Sequence, residues 1–299
     1  MTLKQLEAFY WAATCASFST AAERVHLTVS SLSKRLVELE ISLGQPLFDR
    51  SGHRATLTAA GERLLPQAVE LLRRAEQFRA AAGVAEGPQG SCRIGSGELA
   101  SITWLPRWVT ALREAHPQLS ISITVDIGEA LAQRLERGDL DAAVIAGRTA
   151  RPSLRCTPLA SASFVWCAEP QLARGLRSLD AAAWEGRTLV TLPRGSGITY
   201  VLDDWMARAK AQPEQTVSCN QWGVVAGLIV SGQGVGILPT GLARGLEHRG
   251  RVAVLPSRYK LRQLDYSFHF RNDDPRPLVQ VLQRACVATA DFGAEGPFF

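Results

Sequence analysis

The strongest constraint on the fold is a block of helical periodicity held between Thr28 and Gly44. Leu32, Leu36, Leu39 and Leu43 recur at spacings of four, three and four, which puts them on one side of a helix. The Thr28 hydroxyl is placed to cap the first turn, and Gly44 suits the left-handed conformation that stops a helix. The other side presents Ser30, Ser31, Lys34 and Arg35. The segment must therefore bury leucines against neighbours while offering hydroxyls and cations outward.

Those neighbours are short. Leu3, Leu6, Phe9, Tyr10 and Ala13 predict a first helix, and Ala21, Ala22 and Val25 a second. Thr20-x-x-Glu23 has the spacing of a capping box, so Ser19 or Thr20 is expected to open the second helix, which ends near His26-Leu27. Three such helices with a tight turn before the third make a helix-turn-helix, whose third helix can lie in a major groove. Pro46 to Arg50 and Arg54 to Leu57 then flank Ser51-Gly52-His53, a predicted hairpin with a basic tip. Beside a recognition helix such a hairpin is a wing. Candidate DNA contacts are Thr28, Val29, Ser30, Ser31, Ser33, Lys34 and Arg35 on the helix, and Arg50, His53 and Arg54 on the wing. Periodicity alone leaves open a plain helical bundle with a solvated face.

From Thr58 a longer amphipathic pattern runs through Leu64, Leu65, Ala68, Leu71, Leu72, Ala75 and Phe78 to about Ala82. No neighbour in sequence covers its stripe, so it is expected to pack on its copy in a second chain, with Pro66 kinking or restarting it.

Charge supports DNA binding only locally. The 299 residues carry 33 Lys+Arg and 28 Asp+Glu, a formal +5, but the part before Gly87-Pro88-Gln89-Gly90 holds 10 basic and 9 acidic residues. Phosphate binding depends on clustered cations, so placement decides. With 46% hydrophobic and 20% charged residues, the composition is globular and excludes disorder and collagen. No apolar run approaches the ~18 residues of a membrane span and the N-terminus is polar between its leucines, so neither a span nor a signal peptide is expected. Six scattered cysteines without a C-x-x-C pair fit neither a zinc framework nor a disulfide scaffold, and a reducing cytoplasm is the expected location.

The first sixty-odd residues resemble the LysR-type transcriptional regulators. The pattern is carried by Leu6, Phe9, Ser17, Phe18, Ala21, Ala22, Leu32, Ser33, Leu36, Leu39, Glu40, Leu43, Gly44, Leu47, Phe48, Arg50, Leu57, Thr58 and Gly61, in order and without a gap. The resemblance implies that the third helix enters the major groove, the wing touches the adjacent backbone and the linker helix makes a dimer. One departure stands out: where the family often has glutamine then proline, this chain has Val29 then Ser30. Valine offers a base only apolar contact, for instance to a thymine methyl.

Beyond Gly87-Pro88-Gln89-Gly90, an expected hinge, the pattern alternates between strands and helices. Strand Cys92 to Gly95, a helix with Trp104, Leu105, Trp108 and Leu112, strand Leu119 to Val125, helix Leu131 to Arg137 and strand Ala142 to Ala146 form one parallel unit. Phe164 to Trp166, Thr188 to Thr191, helices Tyr200 to Lys210 and Val224 to Val230, and strand Gly236 to Leu238 form a second. Leu264 to Phe270 alternates, and a helix from Pro277 to Ala288 is expected to return to the first unit. This resembles the two-lobed domain that LysR-type regulators share with periplasmic binding proteins. The expected class is thus α/β with an N-terminal all-α winged helix-turn-helix (1–58), a long linker helix (59–87) and a type 2 periplasmic-binding-protein-like effector domain (91–299). Lobe I is placed at about 91–162 and 268–299, lobe II at about 163–267.

Ligands of open α/β sheets sit beyond the carboxyl ends of strands, often at helix N-termini. That rule selects Ser96, Gly97, Glu98, Ser101 and Glu129 in lobe I, and Arg194, Ser196, Gly197, Thr199, Asn220 and Trp222 in lobe II. If Arg194 and the backbone near Ser196 dominate, the effector is a small organic acid, the favoured reading; if Glu98 and Glu129 both face the cleft, an amine becomes the alternative. Trp104 or Trp222 could stack on a ring, although core packing is the commoner use of tryptophan in such a sheet.

Enzyme signatures are missing from the sequence. Gly232-x-Gly234-x-Gly236 precedes a strand instead of following one, Pro193 to Gly197 lacks a P-loop lysine, and no G-x-S-x-G or H-E-x-x-H occurs. A two-lobed solute-binding protein or an enzyme on the same lobes remain rivals. Cys156 and Cys167 raise a redox trigger as a third option. No cofactor or metal is expected. The expected partners are double-stranded operator DNA, a small-molecule effector, a homodimer assembling to a homotetramer and RNA polymerase, in the bacterial cytoplasm at the nucleoid.

Overall fold

A computed structural model describes residues 1–51, 55–82, 90–147, 151–176 and 178–293. The N-terminal unit contains α1 (Leu3–Thr14), α2 (Phe18–Arg24) and α3 (Val29–Leu43). Leu6, Phe9, Tyr10, Ala21, Leu32, Leu36 and Leu39 form its core with Leu47 and Phe48. Thr28 caps α3 by accepting the Ser31 N–H at 3.1 Å, and Gly44 closes it at φ +70°.

The capping expectation for α2 is corrected. Ser17, not Ser19 or Thr20, is its cap, with its hydroxyl accepting the Thr20 N–H at 3.1 Å. Starting there brings Phe18 onto the helix, where its ring meets Phe48 edge-on at 5.3 Å. An aromatic contact in the core outweighs the local capping box.

The hairpin pairs β1 (Phe48–Asp49) with β2 (Thr56–Leu57) antiparallel. Its tip, with Gly52, His53 and Arg54, lies outside the described residues. The long α4 (Ala59–Ala81) passes through Pro66 as one helix. Leu64, Leu65, Ala68, Val69 and Leu72 anchor it to the α1 core on both sides of the proline, so a single lost N–H does not end it. Its stripe is therefore partly covered within the chain, contrary to expectation; Leu71 and Phe78 stay 46% and 76% exposed.

Lobe I contains β3 (Gly90–Ser96), α5 (Glu98–Thr103), α6 (Leu105–Ala115), β4 (Leu119–Val125), α7 (Gly128–Glu136), β5 (Ala142–Ala146) and β6 (Leu154–Ala162). Lobe II contains β7 (Phe164–Ala168), α8 (Pro170–Ala173), β8 (Thr188–Thr191), α9 (Ile198–Ala209), β9 (Gln215–Ser218), α10 (Trp222–Val230), β10 (Val235–Pro239), α11 (Thr240–His248) and β11 (Ala253–Val254). The chain then returns through β12 (Leu264–Arg271) and α12 (Pro277–Thr289). The sheets run β4-β3-β5-β12-β6 and β11-β7-β10-β8-β9. In each, three adjacent strands are parallel and a strand arriving from the crossover pairs antiparallel.

All of β12 from Leu264 pairs with β6, and Tyr266 to His269 also with β5, so lobe I resumes at Leu264 rather than at 268. Leu264, Tyr266 and Phe268 are buried together in lobe I's share of the core, which fixes the whole strand there. Trp104 and Trp108 are fully buried in lobe I, and Trp166, Trp184 and Trp205 pack edge-on in lobe II. No helix among the described residues is long and apolar enough to cross a membrane.

Candidate DNA-reading face and interlobe cleft

The first site is built by the division of α3 into two faces. Leu32, Leu36 and Leu39 are completely buried, while Val29, Ser30, Ser31 and Lys34 are exposed and Ser33 and Arg35 half-buried. The Thr28 hydroxyl also bonds those of Ser30 and Ser31, at 2.9 Å each. The helix N-terminus thus shows three linked hydroxyls and unsatisfied N–H donors, a setting that suits phosphate oxygens. Lys34 and Arg35 have no ion-pair partner among the described residues.

Glu40 strings the wing to α3. One carboxylate oxygen accepts the Leu47 and Phe48 N–H groups at 2.8 and 3.0 Å, and the other meets Arg50 at 3.3 Å. Arg50 is therefore held at the wing base by a carboxylate. Gly61 lets α4 leave beside the wing, because a Cβ there would lie 2.3 Å from the Leu47 carbonyl oxygen.

A buried charge network docks this unit on lobe I, which sequence reasoning missed. Arg24 of α2 reaches Asp141, at the entry to β5, at 2.5 Å and donates to the Gly138 carbonyl from Nε at 2.7 Å. Arg276 meets the same carboxylate at 2.5 Å and Asp274 at 2.6 Å. The Trp11 ring is near both guanidinium groups, its centroid 5.0 Å from that of Arg24 and 4.7 Å from that of Arg276. Arg271 donates to the Thr14 carbonyl at 2.8 Å. Burial would raise the Asp141 carboxyl, but Arg276 and Arg24 overcome it and hold it below the usual carboxylate range. Arg24 and Asp141, Asp141 and Arg276, and Thr14 and Arg271 are each more than a hundred residues apart in sequence, so no local pattern announces the network.

The second site is the cavity between the lobes, about 50 Å³ in volume. Of the candidate residues, Gly97, Glu98, Ser196, Gly197, Asn220 and Trp222 line it together. Glu98 crosses the cleft: its carboxylate accepts the Trp222 N–H and, at 3.4 Å, the Gly223 N–H, at the N-terminus of α10. On the same closed seam Gly197 abuts Ala146, where a Cβ on Gly197 would lie 2.6 Å from the Ala146 Cβ.

The other candidates are elsewhere. Ser96 is buried and, like Ser101, donates to the Gly97 carbonyl, at 3.1 and 3.0 Å. Glu129 pairs with Arg151 at 2.5 Å outside the cavity lining. Arg194 and Thr199 border a separate concavity of lobe II with Leu202, Asp203 and Met206. A strand-end loop offers alternate residues to opposite sides, so proximity in sequence to Ser196 did not bring them into the cleft. Trp104 is core, against Trp108 and Phe292, and Trp222 stacks on Phe164 at 5.8 Å.

Asp126, Tyr266 and Leu264 also line the cavity and were missed. Asp126 directly follows β4 and the strand-end rule could have found it. The other two were hidden by the misplaced lobe boundary. The six cysteines are free: Cys156 is exposed on the lobe I sheet, whereas burial in the lobe II sheet pushes the Cys167 thiol up to about 12. No cysteine lines the cleft among the described residues, and no cluster of metal-ligating side chains occurs among them.

Comparison with known proteins agrees with this architecture. Residues 3–62 match the family model of bacterial regulatory helix-turn-helix proteins of the lysR family, and residues 85–291 match that of the LysR substrate binding domain. A probable hydrogen peroxide-inducible genes activator of Mycobacterium xenopi is 36% identical over 170 residues, 56% of this chain and 90% of the relative. A full-length OxyR variant from Pseudomonas aeruginosa is 25% identical with a TM-score of 0.64, covering 97% of this chain and 99% of that one. ArgP from Mycobacterium tuberculosis shares the fold, with a TM-score of 0.66 at 22% identity over 98% of each chain. With the winged unit and the two lobes each matched, the chain belongs to the LysR family of transcriptional regulators, with a helix-turn-helix DNA-binding domain and an effector-binding domain.

Proposed function

We propose that the N-terminal half of α3 reads double-stranded operator DNA, with Thr28, Ser30, Ser31, Ser33, Lys34 and Arg35 as the contacts and Val29 meeting a base through its methyl groups. The observation that carries this reading is the split of α3, fully buried leucines on one side and unpaired cations with hydroxyls on the other. Arg50, His53 and Arg54 are assigned to the backbone beside the wing, with Arg50 acting from its perch on Glu40. α4 pairs two chains through the exposed Leu71 and Phe78, and dimers pair into a homotetramer; a small molecule in the cleft shifts the lobes and so the spacing of the α3 helices on DNA. RNA polymerase is the downstream partner, and the bacterial cytoplasm, at the nucleoid, is the place of action. No reaction is assigned to the chain.

The test is a gel shift of the full-length protein on its own upstream DNA, in which a specific retarded complex supports the reading and its absence overturns it. Selection on randomised operators gives a finer result: Val29→Gln should change the base preference at one position of each half-site, and an unchanged preference removes Val29 from the interface.

The peroxide-inducible relative suggests an oxidant trigger. Against it, burial pushes the thiols of Cys15, Cys92 and Cys167 up to about 11, 12 and 12, where little reactive thiolate exists. Cys156 and Cys219 are the accessible thiols that remain, so an oxidant response of DNA binding should be lost in Cys156→Ser/Cys219→Ser, and a response retained there excludes both.

A further inference from the structure

The charge of the cleft specifies its ligand, given the regulator reading above. Two acidic residues line the cavity, Glu98 and Asp126, and no Lys, Arg or His does so among the described residues. An organic acid would place a third negative charge beside them with no cation among the described lining residues to offset it. Of the helix N-termini at the cleft, which ordinarily favour anions, that of α10 is already answered by the chain itself, while α5, α7 and α9 begin without a side-chain cap. Glu98 occupies the N-terminus of α10, and Asp126 accepts the N–H of Ile127, the residue before α7, at 2.8 Å.

Both carboxylates retain acceptor capacity. A carboxylate has about four lone-pair sites, and Glu98 uses one on each oxygen. Asp126 gives one to Ile127 and is 4.0 Å from Arg134. Leu99, Ile127, Leu131, Val144, Leu192 and Leu264 supply apolar wall. The cavity holds only a handful of heavy atoms in this closed form, so the ligand is small.

We propose that the effector is a small protonated amine with a short apolar body, its ammonium group held by Glu98 and Asp126. Glu98 serves two purposes at once: it bridges lobe I to α10 of lobe II and it receives the ligand's charge. Ligand binding is thereby coupled to closure, because the group that recognises the ammonium also holds the lobes together.

The test uses isosteric probes that differ in the head group: propylamine against propionate and butylamine against butyrate, with the full-length protein in titration calorimetry at neutral pH. The amine of each pair should bind and the acid should not. Glu98→Gln, which keeps the shape and an acceptor for the α10 N–H groups, should weaken amine binding roughly ten-fold or more, as loss of a charge-assisted bond does; Asp126→Asn should weaken it less. Far-ultraviolet circular dichroism and a cooperative urea transition for both variants report that they fold. Binding of the acids, failure of both amines to bind, or an undiminished amine affinity in Glu98→Gln and Asp126→Asn overturns the proposal. Loss of DNA binding by the parent protein would instead overturn the regulator reading.

Discussion

Two sets of cations in the N-terminal unit have opposite fates. Arg24 is 7% exposed and locked, together with Arg276, onto the Asp141 carboxylate of lobe I, whereas Lys34 is exposed and Arg35 half-buried, neither with an ion-pair partner among the described residues. The difference shows why a net charge says little about binding. A cation that is desolvated and paired fixes one domain against another, and a cation left in water remains available to a phosphate. The same small unit carries both, on α2 and on α3, so the orientation of α3, the helix proposed to read DNA, is tied to lobe I through buried charges.

The largest expected effect lies at the buried set. Asp141→Ala leaves Arg24 and Arg276 without their shared carboxylate and should destabilise the protein by about 3–5 kcal/mol, measured as a lower urea midpoint. A change no larger than that of an exposed substitution would break the comparison.

A second test concerns burial without a paired charge. His269 is fully buried on the β12 face that meets Ala143 and Ile145 of β5, and burial pulls its imidazole down to about 4. The folded value lies below the unfolded one near 6.5, so the stabilisation is present above that pH and is lost as pH falls from 6.5 toward 4. The loss should approach about 3 kcal/mol, and His269→Phe should remove that slope. Identical pH profiles for parent and variant would contradict it.

The exposed set should behave in the reverse way. Lys34→Ala and Arg35→Ala should leave unfolding within about 0.5 kcal/mol of the parent while weakening DNA binding and each lowering the salt slope by roughly one. The smallest effect is expected on α4, where Glu70 pairs with Arg73 and Arg74 at 2.6 and 2.8 Å on an open surface. Glu70→Ala should produce no measurable shift in the unfolding midpoint, because water screens such pairs; a clear shift would mean that this face of α4 is covered in the assembled protein.

The parts legible in the sequence are those whose determinants are local. The leucine spacing of α3, its Thr28 cap and its Gly44 stop sit within seventeen consecutive residues, and the wing and α4 follow from equally short patterns. The cap of α2 was misjudged because Ser17 and Thr20 are both capable, and only the distant Phe48 decides between them. In the cleft, the strand-end rule found Glu98, Ser196, Gly197, Asn220 and Trp222 but could not say which way a loop side chain turns, and so admitted Arg194 and Glu129. Tyr266 and the Arg24–Asp141–Arg276 network depend on which strands become neighbours, and that is settled by chain crossovers far from the residues concerned.

The account stands or falls on α3 as the reading surface. The most direct measurement is fluorescence anisotropy of the full-length protein on its labelled upstream DNA across a salt series, for the parent and for the Lys34→Ala/Arg35→Ala double variant. The account predicts saturable binding by the parent, much weaker binding by the variant and a salt slope shallower by roughly two, with unchanged unfolding. Equal affinity and equal salt slope for the two proteins would contradict it.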